Sequence, residues 1–397
     1  MPDPIDDNTL IHRLTPRNFL SFGGDFPGLE LRGLNLLIGP NGSGKSNLIE
    51  AVAFMRSAVR DFESVTRKGG GVREWIWKGG PEHAAKVDWV VRNPENPIPL
   101  RHVVEFYNQG QRFTLGDERV EDADNEPGQK TTAYYKGYGM GEATASYVVD
   151  ESGARRFAEA PTKGELSVLT QLSDPFRYPE FAWLADNYSK IRIYREWSFG
   201  RSALFREPQQ ADMRNDILEE DFSNLGLFLS KLRKTPKAKK AVIDHLKDLY
   251  EGLSDFDVVV EGGTVQVFLT EGDFVIPASR LSDGTLRYLC LLAILCDPSP
   301  PPLICIEEPE LGLHPDILPG LADLLKETSE RTQLIVTTHS DILVDAMTET
   351  PECVVICEKH EGKTEMARLS ASELEVWLEK YRLGELWIDG QLGGKRW

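Results

Sequence analysis

Gly39-Pro-Asn-Gly-Ser-Gly44-Lys45-Ser46 matches the pattern G-x-x-x-x-G-K-[ST] without a mismatch. Each part of it has a physical reason. Glycines let the chain curl until successive backbone N–H groups aim at phosphate oxygens, and the helix that follows adds its positive N-terminal end. Lys45 is then placed to reach the β- and γ-phosphates, and the Ser46 hydroxyl to ligate Mg²⁺. The flanks agree. Leu34–Ile38 is apolar and reads as a strand, while Leu48, Ile49, Val52 and Met55 recur at helical spacing and predict a helix over about 46–59. This strand–loop–helix is expected to cradle ATP and Mg²⁺, with Gly39, Pro40, Asn41, Gly42, Ser43, Gly44, Lys45, Ser46 and Asn47 around the nucleotide.

Much further along, Leu303-Ile-Cys-Ile-Glu307-Glu308-Pro309-Glu310 is four apolar residues ending in carboxylates. In a P-loop fold the strand beside the cradle carries an acidic residue toward Mg²⁺, the role expected of Glu307. Glu308, next in line, is expected to take the proton of an attacking water as general base. Glu310 reads as a loop or capping residue.

Composition narrows the class. The chain has 397 residues, 41% of them hydrophobic and 27% charged, an ordinary globular mixture with material for a sizeable core. Its net charge of −18 argues against a protein coated in nucleic acid. The longest apolar stretch, Leu286–Cys296, is interrupted by Arg287 and falls short of the roughly 20 residues of a membrane span. The start, MPDPIDDNTL, lacks the basic and apolar runs of a signal peptide, so a soluble, cytoplasmic protein without membrane contact is expected. The five cysteines, Cys290, Cys296, Cys305, Cys353 and Cys357, sit in apolar runs and read as buried free thiols.

Between the two motifs, residues 86–149 alternate apolar and polar and predict antiparallel β-structure, with the acidic stretch Asp117–Glu126 as a solvated loop. Residues 164–250 read as mainly helical, with a strand near Ile191–Tyr194, and a hairpin follows, Val258–Val260 with Val265–Leu269, turned at Gly262 and Gly263. Beyond Leu281 strands and helices alternate, predicting a parallel sheet with strands Leu303–Ile306, Leu334–Thr337 and Val354–Cys357. Helices are expected after Pro315 and over Ala371–Lys380. Glu361-Gly-Lys-Thr-Glu365 looks like the acidic opening of a Toprim nuclease domain, but too few residues follow it, and it reads as a hairpin turn joining Val354–Cys357 to Met366–Leu369.

Four more stretches fit one family. Leu281-Ser-Asp-Gly284-Thr285 opens an apolar helix and resembles an ABC-type signature. Leu311-Gly-Leu-His314-Pro315 stands where such ATPases have a D-loop, Thr337-Thr-His339-Ser340 ends a strand as their switch histidine does, and Arg17-Asn-Phe19 resembles the start of the group. Together with the cradle they resemble the SMC-like, RecF-like ABC-type ATPases, close to the ATPase half of OLD-family proteins. The fold class implied is α/β, a P-loop ABC-type ATPase head: lobe one over 1–195 with antiparallel β-structure, a helical insertion over 196–256, and lobe two over 257–397.

The resemblance also implies Mg²⁺-dependent ATP hydrolysis in a homodimer or higher homo-oligomer. Ser282 and Gly284 of one subunit would bind the γ-phosphate held by the other, and His339 would hydrogen-bond that phosphate or the attacking water. Asp283 and Thr285 depart from the usual Gly and Gln, which leaves the turnover rate open. The family's metal-contacting glutamine has three candidates here, Gln109, Gln111 and Gln171. The implied role is the ATPase of a prokaryotic anti-phage defence system with a separately encoded effector such as a Toprim-like nuclease. The alternative is a RecF-type, ATP-gated DNA-binding repair clamp.

Other P-loop classes fit less well. A transporter subunit keeps cradle and signature about a hundred residues apart, whereas Gly39 and Leu281 are separated by 242. A P-loop kinase has no need of His339, nor a non-hydrolysing scaffold of Glu307 and Glu308. The basic run Lys231, Arg233, Lys234, Lys237, Lys239 and Lys240 reads either as a solvated helix face or as a phosphate-contacting patch for DNA. The tail Leu383–Trp397, with Trp387, Ile388, Leu392 and Trp397, reads either as a dock for the effector or as a segment packed on lobe two.

Overall fold

A strand buried on both faces is largely apolar, and Leu34–Ile38, Leu303–Glu307 and Gln333–Thr337 are such strands, the buried amides of Asn35 and Gln333 being hydrogen-bonded to backbone carbonyls. The computed structural model, which describes residues 8–394 apart from 82, 94–95, 124–131, 139–141, 150–152, 161–165, 199, 202 and 250–251, places them in one six-stranded sheet. Its order is Arg192–Tyr194, Leu303–Glu307, Gln333–Thr337, Leu34–Ile38, Val354–His360, Lys363–Arg368. All are parallel except the last, which returns from Val354–His360 as a hairpin. The cradle strand is thus central, pairing Leu36 with Val336 on one side and with Val354 on the other.

This sheet divides two cores. Leu34, Leu36, Ile38, Ile304, Ile306, Leu334 and Val336 face a core shared with the helices Leu225–Arg233, Pro236–Leu249, Asp283–Leu295, Leu318–Ser329 and Leu383–Ile388. Leu37, Cys305, Ile335 and Val355 face the other, shared with the helices Lys45–Ser57 and Pro179–Lys190 and with a large second sheet. That second sheet is antiparallel and eight-stranded, in the order Leu29–Glu30, Ile11–Arg17, Ala84–Val91, Leu100–Gln109, Arg112–Asp122, Ala133–Tyr138, Glu142–Val148, Arg155–Glu159. A small third sheet, centred on Thr264–Glu271, contains the expected hairpin with Leu253–Glu261. Among the described residues no helix is long and apolar enough to cross a membrane. All five cysteines are free, and four of them are buried.

Two expectations need correcting, and one stated alternative is decided. The acidic stretch Asp117–Glu126 is not a loop over its first six residues, which belong to the strand Arg112–Asp122 (124–126 lie outside the described residues). Three of its carboxylates, on Glu118, Glu121 and Asp122, are buried, and each has a partner. Glu118 accepts from Ser167 Oγ at 2.6 Å and Val168 N at 2.8 Å, Glu121 from Arg101 at 3.1 Å and Asp122 from the Tyr134 hydroxyl at 3.0 Å. Second, the acidic strand does not lie beside the cradle strand, since Gln333–Thr337 runs between them. Of the two readings of the tail, packing on lobe two holds for most of its described part. Leu383, Leu386 and Trp387 are buried in the signature-side core, and Trp387 Nε1 donates to the Gly394 carbonyl at 3.0 Å. Leu392 packs against that core, Ile388 stays exposed, and Trp397 lies outside the described residues.

Candidate nucleotide site

The loop between Leu34–Ile38 and the helix Lys45–Ser57 is walled by the hairpin Val354–Arg368. At Gly39, φ is +143° and a Cβ would stand 2.1 Å from the Cys357 carbonyl oxygen; at Gly44, φ is +105° and a Cβ would stand 2.1 Å from Thr364 Oγ1. Both positions therefore need glycine for backbone conformation and for space. Thr364 Oγ1 donates to the Ser43 carbonyl at 2.9 Å and lies 2.6 Å from Ser21 Oγ, which accepts from Asn47 Nδ2 at 2.6 Å. Lys45 is buried, and its Nζ donates to the carbonyls of Gly39 at 2.8 Å and Pro40 at 3.1 Å. Burial lowers its pKa, opposed by Cys357 and by Glu308, Glu310 and Glu307. Ser43 Oγ is buried with no hydrogen-bond partner among the described residues, as a donor kept for a phosphate oxygen would be.

Although one strand intervenes, the acidic strand end reaches the cradle. Ser46 Oγ donates to Glu307 Oε2 at 3.2 Å, and Glu307 Oε1 is buried without a partner among the described residues. Burial raises the Glu307 pKa, opposed by Arg195 and by the Ser46 hydroxyl. One hydroxyl and one carboxylate are what Mg²⁺ uses when nucleotide phosphates and water complete its shell, so the residues fit the ion. Glu308 has φ +47°, and its N–H donates to the Thr337 carbonyl at 3.0 Å. Its Oε1 lies 3.7 Å from His339 Nε2, so the two side chains at the ends of neighbouring strands face each other. Glu310 does hold a loop: its Oε1 accepts from His339 N–H at 2.7 Å and Thr338 Oγ1 at 2.8 Å.

Two side chains that no motif marks stand behind these carboxylates. Trp197 Nε1 donates to the Glu307 carbonyl at 2.8 Å, and Arg287 Nη2 to the Glu308 carbonyl at 2.7 Å. The Arg287 guanidinium lies over the Trp197 ring, 4.5 Å from its centroid, and burial lowers its pKa to about 10. Arg287 left a trace in the sequence as the one cation inside an otherwise apolar helix. Trp197 and Thr364 left none.

At the signature, Ser282 caps the helix Asp283–Leu295, its Oγ accepting from Thr285 N–H at 3.1 Å. The unusual Asp283 has a job: it pairs with Arg206 and accepts from Gly200 N–H at 3.2 Å, while Arg206 also donates to the Leu281 carbonyl at 2.7 Å. A Cβ at Gly284 would stand 3.0 Å from the Gly312 carbonyl, which ties the signature to the D-loop stretch. Among the described residues no hydrogen bond joins Ser282 or Gly284 to the cradle. Gln109 and Gln111 belong to the hairpin of the large sheet, and Gln171 Nε2 donates to the Leu166 carbonyl at 2.7 Å. In the basic run, Lys231 pairs with Asp297, Arg233 with Asp257, Lys239 with Asp255 and Lys240 with Asp244, so four of the six charges are met by carboxylates.

The family model described as "AAA domain, putative AbiEii toxin, Type IV TA system" matches residues 34–139 and 170–345. The Old nuclease of Escherichia phage P2 is 21% identical over 373 residues, covering 86% of this chain; the chain spans only 58% of that protein's length. A solved SMC head bound to the C-terminal winged-helix domain of ScpA superposes with TM-score 0.56 at 16% identity, covering 92% of this chain and 99% of that one. The SMC head with an extended coiled coil from Pyrococcus furiosus gives 0.53 at 14%, covering 94% and 99%. The fold is that of an SMC-like ATPase head.

Proposed function

Since the chain belongs to this AAA-domain family and is an ATP hydrolase of the ABC and SMC-like class, we propose that two copies close around ATP and Mg²⁺ and pass the resulting change of shape to an effector. The observation that carries the site assignment is the contact of Ser46 with Glu307, 261 residues apart in the chain, beside the unpartnered oxygens of Ser43 and Glu307. In this reading Gly39–Asn47 hold the phosphates, and Lys45 leaves its loop carbonyls for the β- and γ-phosphates. Ser46 and Glu307 would hold Mg²⁺, whose charge would offset that of the phosphates. Glu308 takes the proton of the attacking water, and His339, facing it, orients that water or the γ-phosphate. Ser282 and Gly284 complete the partner's site, in keeping with their lack of hydrogen bonds to their own cradle.

The biological role we propose is the ATPase component of an anti-phage defence system acting with a separately encoded, Toprim-like nuclease. The likeness to a phage nuclease and the toxin named in the family description support it. The DNA-clamp alternative draws on the basic run, where most charges are already paired, and is the weaker reading. The site is tested by Glu308→Gln and Lys45→Ala. Glu308→Gln keeps ATP binding and loses roughly 10²–10⁴-fold in turnover, the usual contribution of a general base; Lys45→Ala loses nucleotide affinity. Near wild-type turnover in Glu308→Gln removes the base assignment.

A further inference from the structure

Glu308 sits in the left-handed region at φ +47°, where a residue with a side chain stays only if its surroundings hold it. On its N-terminal side the holding is clear: the Glu308 N–H donates to the Thr337 carbonyl at 3.0 Å and lies 3.2 Å from Thr337 Oγ1. On its C-terminal side the carbonyl takes Arg287 Nη2 at 2.7 Å and Leu311 N–H at 3.2 Å. Arg287 is 6% exposed on a helix that is otherwise apolar from Leu286 to Leu295. A buried guanidinium there has a desolvation cost that packing alone does not explain. Its flat face lies 4.5 Å from the centroid of Trp197, and Trp197 in turn donates to the Glu307 carbonyl at 2.8 Å and stacks on Phe222 at 5.4 Å. One stacked pair thus grips the backbone of both carboxylate residues. Ser282 caps the same helix that carries Arg287.

We propose that Arg287, backed by Trp197, is a positioning residue that sets the Glu308 carboxylate and makes the signature helix and the general base move as one body. The proposal rests on the reading of Glu308 as general base. Loss of the guanidinium leaves the Glu308 carbonyl with the longer Leu311 N–H bond and lets its strained backbone relax, and a carboxylate displaced by about 1 Å loses on the order of 10²-fold in rate. Arg287 meets the site at the Glu308 carbonyl, so its loss should fall on kcat more than on nucleotide affinity.

The test measures kcat and KM for ATP, the affinity for a non-hydrolysable ATP analogue, and the melting temperature for Arg287→Met, Arg287→Lys and Trp197→Phe in the full chain. Arg287→Met should lose roughly 10²-fold in kcat, with KM and analogue affinity within about threefold of wild type. Arg287→Lys, which keeps a charge and a donor, should recover about tenfold of that loss. Trp197→Phe, which keeps a ring but loses the indole N–H, should lose a few-fold. Adding Arg287→Met to Glu308→Gln should cost nothing further, since both act through one carboxylate. Unchanged kcat in Arg287→Met, an equal loss of analogue affinity, or additivity with Glu308→Gln would overturn the proposal. If Arg287→Met does not fold, unchanged kcat in both remaining variants overturns it equally. Near wild-type turnover in Glu308→Gln instead removes the base reading, and the proposal falls with it.

Discussion

Thr364→Val exchanges a hydroxyl for a methyl of nearly the same size beneath the phosphate loop. A hydroxyl has one proton to give. If Thr364 gives its proton to the Ser43 carbonyl at 2.9 Å, the 2.6 Å contact with Ser21 must run from Ser21 to Thr364. Ser21 then has only a lone pair for Asn47 Nδ2, as the 2.6 Å distance requires. The polarity of the chain is fixed: Asn47 to Ser21 to Thr364 to Ser43, from the cradle helix through the hairpin and back to the loop. Thr364 is 2% exposed and Ser21 8%, so water does not replace what is lost. The valine leaves the Ser43 carbonyl and the Ser21 proton unmatched, each at about 1–3 kcal/mol, for a total of about 2–6 kcal/mol. Thr364→Ser keeps the chain intact and gives up one buried methyl, about 1 kcal/mol. Urea unfolding at neutral pH should therefore rank the proteins wild type, Ser, Val. Apolar burial alone ranks Val above Ser, so a valine variant as stable as the serine variant would refute the directed chain.

Two further outcomes are expected. Burial raises the Glu310 pKa above its ordinary 4.5, so its ionisation costs the folded state stability as pH rises through that raised value, and the loss is recovered on acidification toward 4.5. Glu310→Gln, which keeps the acceptor for His339 and Thr338, should raise the melting temperature at pH 8 by an amount that shrinks as pH falls; a gain that grows with acid contradicts the assignment. If the signature acts across an interface, Lys45→Ala and Ser282→Arg chains that exchange subunits should hydrolyse ATP faster mixed than the sum of the two apart, because one intact site forms per heterodimer. No gain on proven exchange means that the signature acts in cis or not at all.

What could be read from the sequence is what is local. Leu34–Ile38, the glycine loop and the helix after it follow one another in the chain, and their pattern needs no knowledge of neighbours. The hairpin Val354–Arg368 announced itself by its turn at Glu361-Gly362. Strand order did not, because Gln333–Thr337 enters between two strands for reasons of crossover packing that no stretch of sequence displays. The acidic residues 117–122 misled for the same reason: their partners, Arg101, Tyr134 and Ser167, lie on other elements. Asp283 looked like a defect in the signature until Arg206 was found beside it.

The central place of the cradle strand has a consequence for how the protein is made. Its neighbours, Gln333–Thr337 and Val354–His360, are about 300 residues downstream, which at ribosomal rates of roughly 5–20 residues per second is about 15–60 s of synthesis. For that time Leu34–Ile38 has no ladder to join, and its closure is among the most non-local events in the chain. A nascent chain lacking residues beyond 330 carries an apolar, unpaired segment next to its phosphate loop, and should be held by chaperones or aggregate rather than bind nucleotide. The phosphate loop leaves the ribosome well before Gln333–Thr337 and Val354–His360, and acquires its working shape only once they have followed it.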